Sequence, residues 1–320
     1  MTEKDIIETY RGGLYVRYDD KGIARYFTAD DFTGLCREKF CFFNGLGNKL
    51  TGYFYFYNNY NPDIILVFDH GVGAGHTAYM KEIEMLARKG FMVYSYDHNG
   101  CMESEGEGLN GFGQSLHDLD KCVTALKNIP ELAGKTFYAM GHSWGGYAVG
   151  NITAYHSDIE KIVVLSGPVS VKQLQKQNYQ REMEVYLDCL YDMEMQSNPE
   201  YTHRDAVTAI RNSGVNALLI YSDNDMLATK QWQYDALCDG LKDCSNVKFI
   251  LEQGKHHNPN YTLDAVTYLA EYLADVAQKT KEGQLDTPQQ KTDFVASYDW
   301  HRMTAQDDTL WKEIIDFLNR

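Results

Sequence analysis

The chain has 320 residues, of which 44% are hydrophobic and 23% charged, enough for one large α/β domain with an insertion or for two small domains. Its formal net charge of −15 and the lack of any Lys- or Arg-rich run argue against partners such as nucleic acid or anionic membrane surfaces. No stretch approaches twenty consecutive apolar residues, and the acidic start MTEKDIIETYRGG is unlike a signal peptide, so we expect a cytoplasmic protein without stable membrane insertion.

The first third of the chain contains an irregular start and then two kinds of strand pattern. Residues 1–37 mix charges, aromatics and glycines without a clear period, and we treat them as an N-terminal extension of uncertain form. From residue 38 onward, aromatic-rich alternating runs flank NGLGN, which predicts an antiparallel hairpin. The continuous apolar run IILVF that follows is typical of a strand buried on both faces.

Strand and helix patterns then alternate along most of the remaining sequence. Helical spacing at residues 79–88 and 116–129 alternates with apolar runs at 91–96 and 136–140, and further strand patterns are KIVVL, NALLIY and NVKFILEQ. Such alternation predicts an α/β protein with a mainly parallel sheet. The polar segment EGQLDTPQQK, residues 282–291, is interpreted as a surface linker before the last helix.

The alternation stops between Pro168 and Gly214, where about forty residues form polar helical patterns with Leu, Met and Tyr stripes. We interpret this segment as a helical cap inserted over the sheet. The predicted organisation is therefore an extension at 1–37, a first core segment at 38–169, a cap at 170–213 and a second core segment at 214–320.

A strand-turn-helix motif, GHSWG, contains the candidate nucleophile Ser143. A serine at the tip of such a turn has a strained backbone, so residues without a side chain are needed two positions to either side, here Gly141 and Gly145. The β-branched and apolar residues before the motif and the small residues after it supply the required strand and helix. The turn would expose the Ser143 hydroxyl and leave the backbone N–H of Trp144 facing a developing oxyanion.

A serine nucleophile needs a histidine base, which a carboxylate holds in one tautomer. The run NALLIY leads to Asp223 and Asp225, and the run NVKFILEQ leads to His256 and His257. The carboxyl ends of parallel strands meet at one edge of a sheet, so both pairs are candidates to join Ser143. The order Ser, Asp, His along the chain is that of enzymes with this turn.

From about residue 40 to its end, the sequence resembles the α/β-hydrolase family, and within it the serine hydrolases similar to monoacylglycerol lipases and lysophospholipases, which are grouped with the S33 serine aminopeptidases. The resemblance implies a mostly parallel central sheet flanked by helices, with a small helical cap. It rests on five motifs in the family's order, which are Asp69-His70-Gly71, Tyr96-Asp97 with Ser104-Glu105-Gly106, GHSWGG, Leu218–Asp225 and Gly254–His257.

The resemblance also implies roles for particular residues. In the family the acid follows a small residue by three positions, which selects Asp225, and the histidine ends a G-x-x-H turn, which selects His257. The residue after the His-Gly pair supplies the second oxyanion N–H, so Val72 joins Trp144. By the same resemblance, His70 is structural.

Two features depart from the family pattern. The loop after Asp97 usually resembles R-G-x-G-x-S, whereas here it is HNGCMES, which affects the expected shape of the site. Trp144 is typical of members similar to proline iminopeptidases, but their H-G-G-P-G turn is absent at residues 70–74.

The sequence predicts neither a metal nor another cofactor. Seven scattered cysteines without a C-x-x-C pair are typical of reduced thiols. His70, His76, His98 and Asp97 match no compact ligand set, and the run GVGAG lacks the third glycine of a dinucleotide loop.

We therefore predict a serine hydrolase that cleaves a small-molecule carboxylic ester, as a carboxylesterase or a monoacylglycerol-type lipase. One alternative is an amidase or aminopeptidase of the same fold, in which an acidic cap residue binds a substrate amine; the candidates are Glu182, Glu184, Asp188 and Glu194. Another alternative is a binding protein without catalysis, which an intact set of Ser, His and Asp disfavours.

Overall fold

The computed structural model describes residues 3–179 and 181–320, without the side chains of residues 3 and 181–183. Eight strands form one sheet in the order β1-β2-β4-β3-β5-β6-β7-β8. The first two strands pair antiparallel, as do β2 and β4, and the remaining neighbours are parallel. The strands are β1 (Cys36–Phe43), β2 (Lys49–Phe56), β3 (Ile64–Asp69), β4 (Met92–Tyr96), β5 (Thr136–His142), β6 (Lys161–Leu165), β7 (Asn216–Ser222) and β8 (Val247–Glu252).

Thirteen α-helices are present in the described part of the chain. They are α1 (Glu3–Leu14), α2 (Met80–Arg88), α3 (Gln114–Lys127), α4 (Trp144–Asn151), α5 (Val171–Asn178), α6 (Leu187–Ser197), α7 (Pro199–Thr202), α8 (Ala206–Ser213), α9 (Asp235–Leu241), α10 (Leu263–Lys281), α11 (Pro288–Ala296), α12 (Trp300–Met303) and α13 (Asp308–Asn319). Among these helices, none has both the length and the apolar character needed to cross a bilayer.

The sheet has an apolar core on each of its two faces. One core contains β-sheet residues together with α3, α4 and α8, and the other contains residues of α2, α10 and α13. Burial on both sides explains why the central strands are apolar without alternation; every residue of β6, for example, is buried. This is the α/β-hydrolase fold with its mostly parallel sheet, as the sequence predicted.

Four helices, α5 to α8, lie between β6 and β7, in the segment interpreted from the sequence as a cap. The N-terminal helix α1 packs against α6 of this segment through a small apolar cluster of Ile6, Tyr10 and Leu190. The chain after α1 then pairs with the loop that follows β4, where Tyr18 forms a parallel bridge with Cys101. From residue 3 onward, the extension therefore contacts both the helical insertion and the loop after β4.

The interpretation of residues 282–291 as a linker is wrong in its second half, because α11 begins at Pro288. Thr287 and Gln290 form a capping box, in which each side chain accepts a hydrogen bond from the other residue's backbone N–H. Pro288 occupies the first helical position, where the fixed φ of proline matches the helical value. The T-P-x-Q pattern is thus a helix start, although its polar composition is typical of a loop.

Candidate active site

Ser143 lies between the end of β5 and the start of α4, with φ 56° and ψ −116°. This left-handed backbone is strained for a residue with a side chain. A Cβ at Gly145 would come within 2.2 Å of the Asp69 carbonyl oxygen, and one at Gly141 within 2.5 Å of the Gly145 oxygen. The sharp turn is possible because both positions are glycine, and it leaves the Ser143 hydroxyl on the outside of the bend.

The loops after β7 and β8 bring an acid and a base to this hydroxyl. His257 Nε2 lies 2.8 Å from Ser143 Oγ, and His257 Nδ1 lies 2.8 Å from Asp225 Oδ2. With Nδ1–H donating to the carboxylate, Nε2 accepts the hydroxyl proton of Ser143. The three residues selected from the sequence therefore form a continuous hydrogen-bonded chain, which can activate a serine for nucleophilic attack.

Asp225 is held as a carboxylate by its surroundings. Burial alone would raise its pKa, but the hydrogen bond from His257 and those from the N–H groups of Ala228 and Leu227 lower the pKa below its ordinary value. The side chain is almost fully buried. A buried carboxylate with these donors fixes the tautomer and the orientation of the His257 ring.

The other candidate acid and base take part in shaping the same loops. Asp223 Oδ1 accepts a hydrogen bond of 2.8 Å from the N–H of Gly254, which ties the two loops together. His256 has φ 50°, and its backbone N–H and ring Nδ1 both contact the side chain of Asn224. Among the described residues, neither Asp223 nor His256 contacts Ser143.

Of the two predicted oxyanion donors, Trp144 directly follows Ser143, and Val72 directly follows Gly71, which lies beside Ser143. Trp144 is the first residue of α4, and a Cβ at Gly71, next to Val72, would lie 3.3 Å from Ser143 Cβ. Within the described part of the chain, the backbone N–H groups of Val72 and Trp144 have no acceptor at hydrogen-bond distance. The Trp144 indole is buried and donates to the Phe112 carbonyl oxygen at 2.6 Å.

Sequence reasoning missed a pair of residues that links the base to the loop of Val72. The His142 ring donates through Nε2–H to the carbonyl oxygen of His257 at 2.7 Å and accepts at Nδ1 from the Tyr79 hydroxyl at 2.8 Å. The Tyr79 oxygen accepts from the N–H of Gly71 at 3.1 Å. Burial and then the nearby His257 lower the pKa of His142 to about 3, so its ring stays neutral. His142 occupies the variable position of GHSWG, where the motif alone gives no signal.

Glu194, one of the four acidic residues considered for binding a substrate amine, already has hydrogen-bond donors from within the protein. Its carboxylate is fully buried and accepts hydrogen bonds from the Tyr10 hydroxyl and from the N–H groups of Phe112 and Gly113. Glu184 and Asp188 are exposed, and the side chain of Glu182 lies outside the described residues. The structure therefore assigns Glu194 to joining α6, α1 and the start of α3.

Glu82 on α2 is a buried carboxyl linked to the segment after His257. Its Oε1 accepts hydrogen bonds from the side-chain amides of Asn260 at 2.9 Å and Gln306 at 3.1 Å. Burial raises the pKa of Glu82 from 4.5 to about 7. The Glu82 carboxyl therefore binds its proton more tightly in the folded state than in the unfolded chain. The stability that the protonated carboxyl contributes is fully present below pH 4.5 and is lost as the pH rises through 7.

We expect Glu82→Gln, which keeps the shape and an acceptor oxygen, to become more stable relative to the wild type as the pH rises from 4.5 to 8.5. The gain in the free energy of unfolding should reach about 3 kcal/mol, because one pKa unit corresponds to about 1.4 kcal/mol. Urea denaturation of both proteins at a series of pH values measures it. A difference between the two proteins that stays constant with pH would contradict the expectation.

Residues 60–237 match the family described as serine aminopeptidase, S33. Among curated proteins, the chain is 26% identical over 207 residues to a proline iminopeptidase of Elizabethkingia meningoseptica, which covers 61% of this chain and 63% of that protein. It is 33% identical over 88 residues to the monoglyceride lipase of Rattus norvegicus, covering 27% of this chain and 28% of the relative. The chain thus spans less than two thirds of the length of these curated relatives.

The fold is similar to that of solved structures. The Pyrococcus furiosus esterase Pf2001 superimposes with a TM-score of 0.59 at 18% sequence identity, covering 84% of this chain and 99% of that one. At this identity the likeness concerns the fold alone.

Proposed function

Since the chain belongs to the serine aminopeptidase S33 family of α/β-hydrolases, we propose that it is a serine hydrolase that cleaves carboxylic esters through an acyl-enzyme. The observation that carries the proposal is the chain of hydrogen bonds from Ser143 through His257 to Asp225, each 2.8 Å long. These residues follow the carboxyl ends of the parallel strands β5, β8 and β7, so they lie at the same end of the sheet. Their arrangement supports activation of the hydroxyl by a neutral imidazole.

In the proposed mechanism, Ser143 Oγ attacks the ester carbonyl carbon while His257 Nε2 takes the hydroxyl proton. Asp225 stabilises the imidazolium that forms, and the N–H groups of Val72 and Trp144 bind the oxyanion of the tetrahedral intermediate. His257 then gives its proton to the leaving alcohol, which leaves an acyl group on Ser143. A water molecule activated by the same imidazole attacks this acyl-enzyme, releases the acid and restores the hydroxyl.

Two features favour an ester with an apolar group over a substrate with a free amine. Exposed apolar side chains adjoin the residues of the site: Val72 at the oxyanion loop, and Met226 and Leu227 directly after Asp225. The buried acid of the helical insertion, Glu194, is engaged by Tyr10 and by backbone N–H groups, so it does not offer a carboxylate to an ammonium group. The similarity to a monoglyceride lipase agrees with this preference.

An aminopeptidase of the same fold is the second candidate, because the chain is 26% identical to a proline iminopeptidase over 207 residues.

For both candidate functions, we propose that the helices α5 to α8 form a cap that limits access to Ser143. Residues 38–169 and 214–320 would then be the two parts of the core.

We expect turnover of p-nitrophenyl esters to exceed turnover of aminoacyl p-nitroanilides, since the described site offers an apolar rim and no free buried carboxylate for an amine. Initial rates on esters of increasing acyl length, measured in parallel with alanyl and prolyl p-nitroanilides, test this. The best acyl length reports the size of the acyl site. Faster cleavage of the anilides would assign the chain to the aminopeptidases, and failure to cleave either substrate or to react with a fluorophosphonate would refute the proposed hydrolase.

A further inference from the structure

His98 lies at the centre of a fully buried cluster of charged side chains, the His98 cluster, formed by Asp69, His98 and Asp118. The ring Nε2 is hydrogen-bonded to Asp69 Oδ1, and Nδ1 lies 3.2 Å from Asp118 Oδ2. None of the three side chains is exposed to solvent. Asp69 ends β3 and Asp118 belongs to α3, so the cluster joins β3, α3 and the loop after β4.

The cluster has the geometry of an ion pair network, with one imidazole ring between two carboxyl groups. Burial alone would lower the pKa of His98, but the carboxylates of Asp69 and Asp118 raise it to about 9. A ring that faces two carboxylates donates from both nitrogens, which fits an imidazolium. The remaining carboxylate oxygens have donors as well, because the Tyr96 hydroxyl binds Asp69 and the Gln114 amide binds Asp118. A fully satisfied network of this kind permits one arrangement of its members.

His98 is connected to the peptide that carries the first proposed oxyanion donor. Its backbone N–H donates to His70 Nε2 at 3.1 Å, and His70 Nδ1–H in turn donates to the carbonyl oxygen of Gly71 at 2.8 Å. The Gly71 carbonyl and the Val72 N–H belong to the same planar peptide group. The hydrogen bond to this carbonyl therefore fixes the direction of the Val72 N–H.

His98 also contacts the residue that carries the second donor. Its ring packs against the indole of Trp144 with 4.7 Å between the ring centroids. Trp144 is the first residue of α4, so its backbone N–H lies next to Ser143. His98 thus contacts His70 through its backbone N–H and its ring, and it contacts Trp144 through its ring, so it is linked to both halves of the proposed oxyanion hole.

We propose that His98 is a positioning residue of the oxyanion hole, held between Asp69 and Asp118 and acting through His70 on the Val72 peptide and through ring packing on Trp144. This inference rests on the proposed function. At residue 98 the chain departs from the R-G-x-G-x-S pattern, because a histidine replaces the expected arginine and is bound between two buried carboxylates. The proposed role accounts for this departure.

The test is His98→Gln, a neutral side chain that can donate to only one of the two carboxylates. We expect kcat for the best p-nitrophenyl ester to fall about 10- to 100-fold, since loss of one oxyanion donor costs about 100- to 1,000-fold and misplacement costs part of that. KM should stay within about 3-fold. Affinity for a trifluoromethyl ketone, whose adduct with Ser143 carries an oxyanion, should fall by the same factor as kcat. Rates are counted per site that reacts with a fluorophosphonate.

Lys161→Met is the control for a general loss of stability. Lys161 is buried at the start of β6, whereas Ser143 follows the end of the neighbouring parallel strand β5. Its ammonium group donates to the carbonyl oxygen of Leu318. This variant should lose stability and keep kcat. If His98→Gln does not fold, Asp118→Asn takes its place, with an expected fall in kcat of about 3- to 10-fold because His98 keeps its bond to Asp69.

The outcomes separate the two proposals. A wild type that neither cleaves esters nor reacts with the fluorophosphonate defeats the proposed function. An active wild type with unchanged kcat in the folded variant, or with unchanged affinity for the trifluoromethyl ketone, overturns the positioning role of His98 alone. A parallel loss of kcat and ketone affinity at constant KM supports it.

Discussion

Ser143→Ala should lower kcat/KM for p-nitrophenyl esters by about 10⁴-fold or more, because it removes the hydroxyl that attacks the ester and carries the acyl group. Ser143 is the side chain that His257 Nε2 contacts at 2.8 Å. The remaining activity would come from water attacking a substrate held by the oxyanion donors. Initial rates at saturating and at low ester concentration measure the loss.

The same variant should fold as well as the wild type. Alanine at φ 56° has the same Cβ as serine, so the backbone strain of the turn is retained in both proteins. Urea midpoints and circular dichroism check this. Intact mass after treatment with a fluorophosphonate provides an independent readout, with a covalent adduct expected on the wild type and absent from the variant. Turnover within tenfold of the wild type would rule out Ser143 as the nucleophile.

His257→Ala should cost about 10⁴-fold in kcat, whereas His256→Ala should change kcat by less than about 3-fold. The two residues are adjacent in sequence, yet only His257 lies between Ser143 and Asp225. His256 contacts Asn224 instead. The pair therefore forms a matched comparison in which the loop, the substrate and the assay are the same.

Added imidazole sharpens this comparison. A small imidazole that enters the space left by His257 can take the proton from Ser143, so it should restore part of the activity of His257→Ala in a concentration-dependent way. It should have no such effect on Ser143→Ala. If His256→Ala is the inactive variant and His257→Ala retains turnover, the base is His256 and the hydrogen bonds described for His257 belong to another role.

Much of the fold followed from local sequence patterns. The continuous apolar runs predicted the central parallel strands because a strand covered on both faces has no polar side to reveal an alternation. The turn at Ser143 was recognisable because its strained backbone forces glycine at positions 141 and 145, where the structure leaves no room for a Cβ. Constraints of this steric kind leave a mark in the sequence itself.

The partners of the site were harder to predict, since they meet only after folding. Nothing in the sequence near Tyr79 indicates that its hydroxyl contacts His142, sixty-three positions away. The same holds for Asp69 and Asp118, which meet at His98 from a strand and a helix. Isolated histidines and acids carry no periodic pattern, so their hydrogen bonds had to be observed in the structure.

The contact between Tyr10 and Glu194 has a consequence for the order in which the chain folds during synthesis. The two residues are 184 positions apart, and at about 5 to 20 residues per second a ribosome needs about 10 to 40 seconds to make the second after the first. Until α6 has been made, Leu190 is not available to cover the apolar side of α1 around Ile6 and Tyr10. Helix α1 is therefore made long before the helix against which it packs. Until then it is an amphipathic segment with an exposed apolar side, which favours binding by chaperones and carries a risk of aggregation.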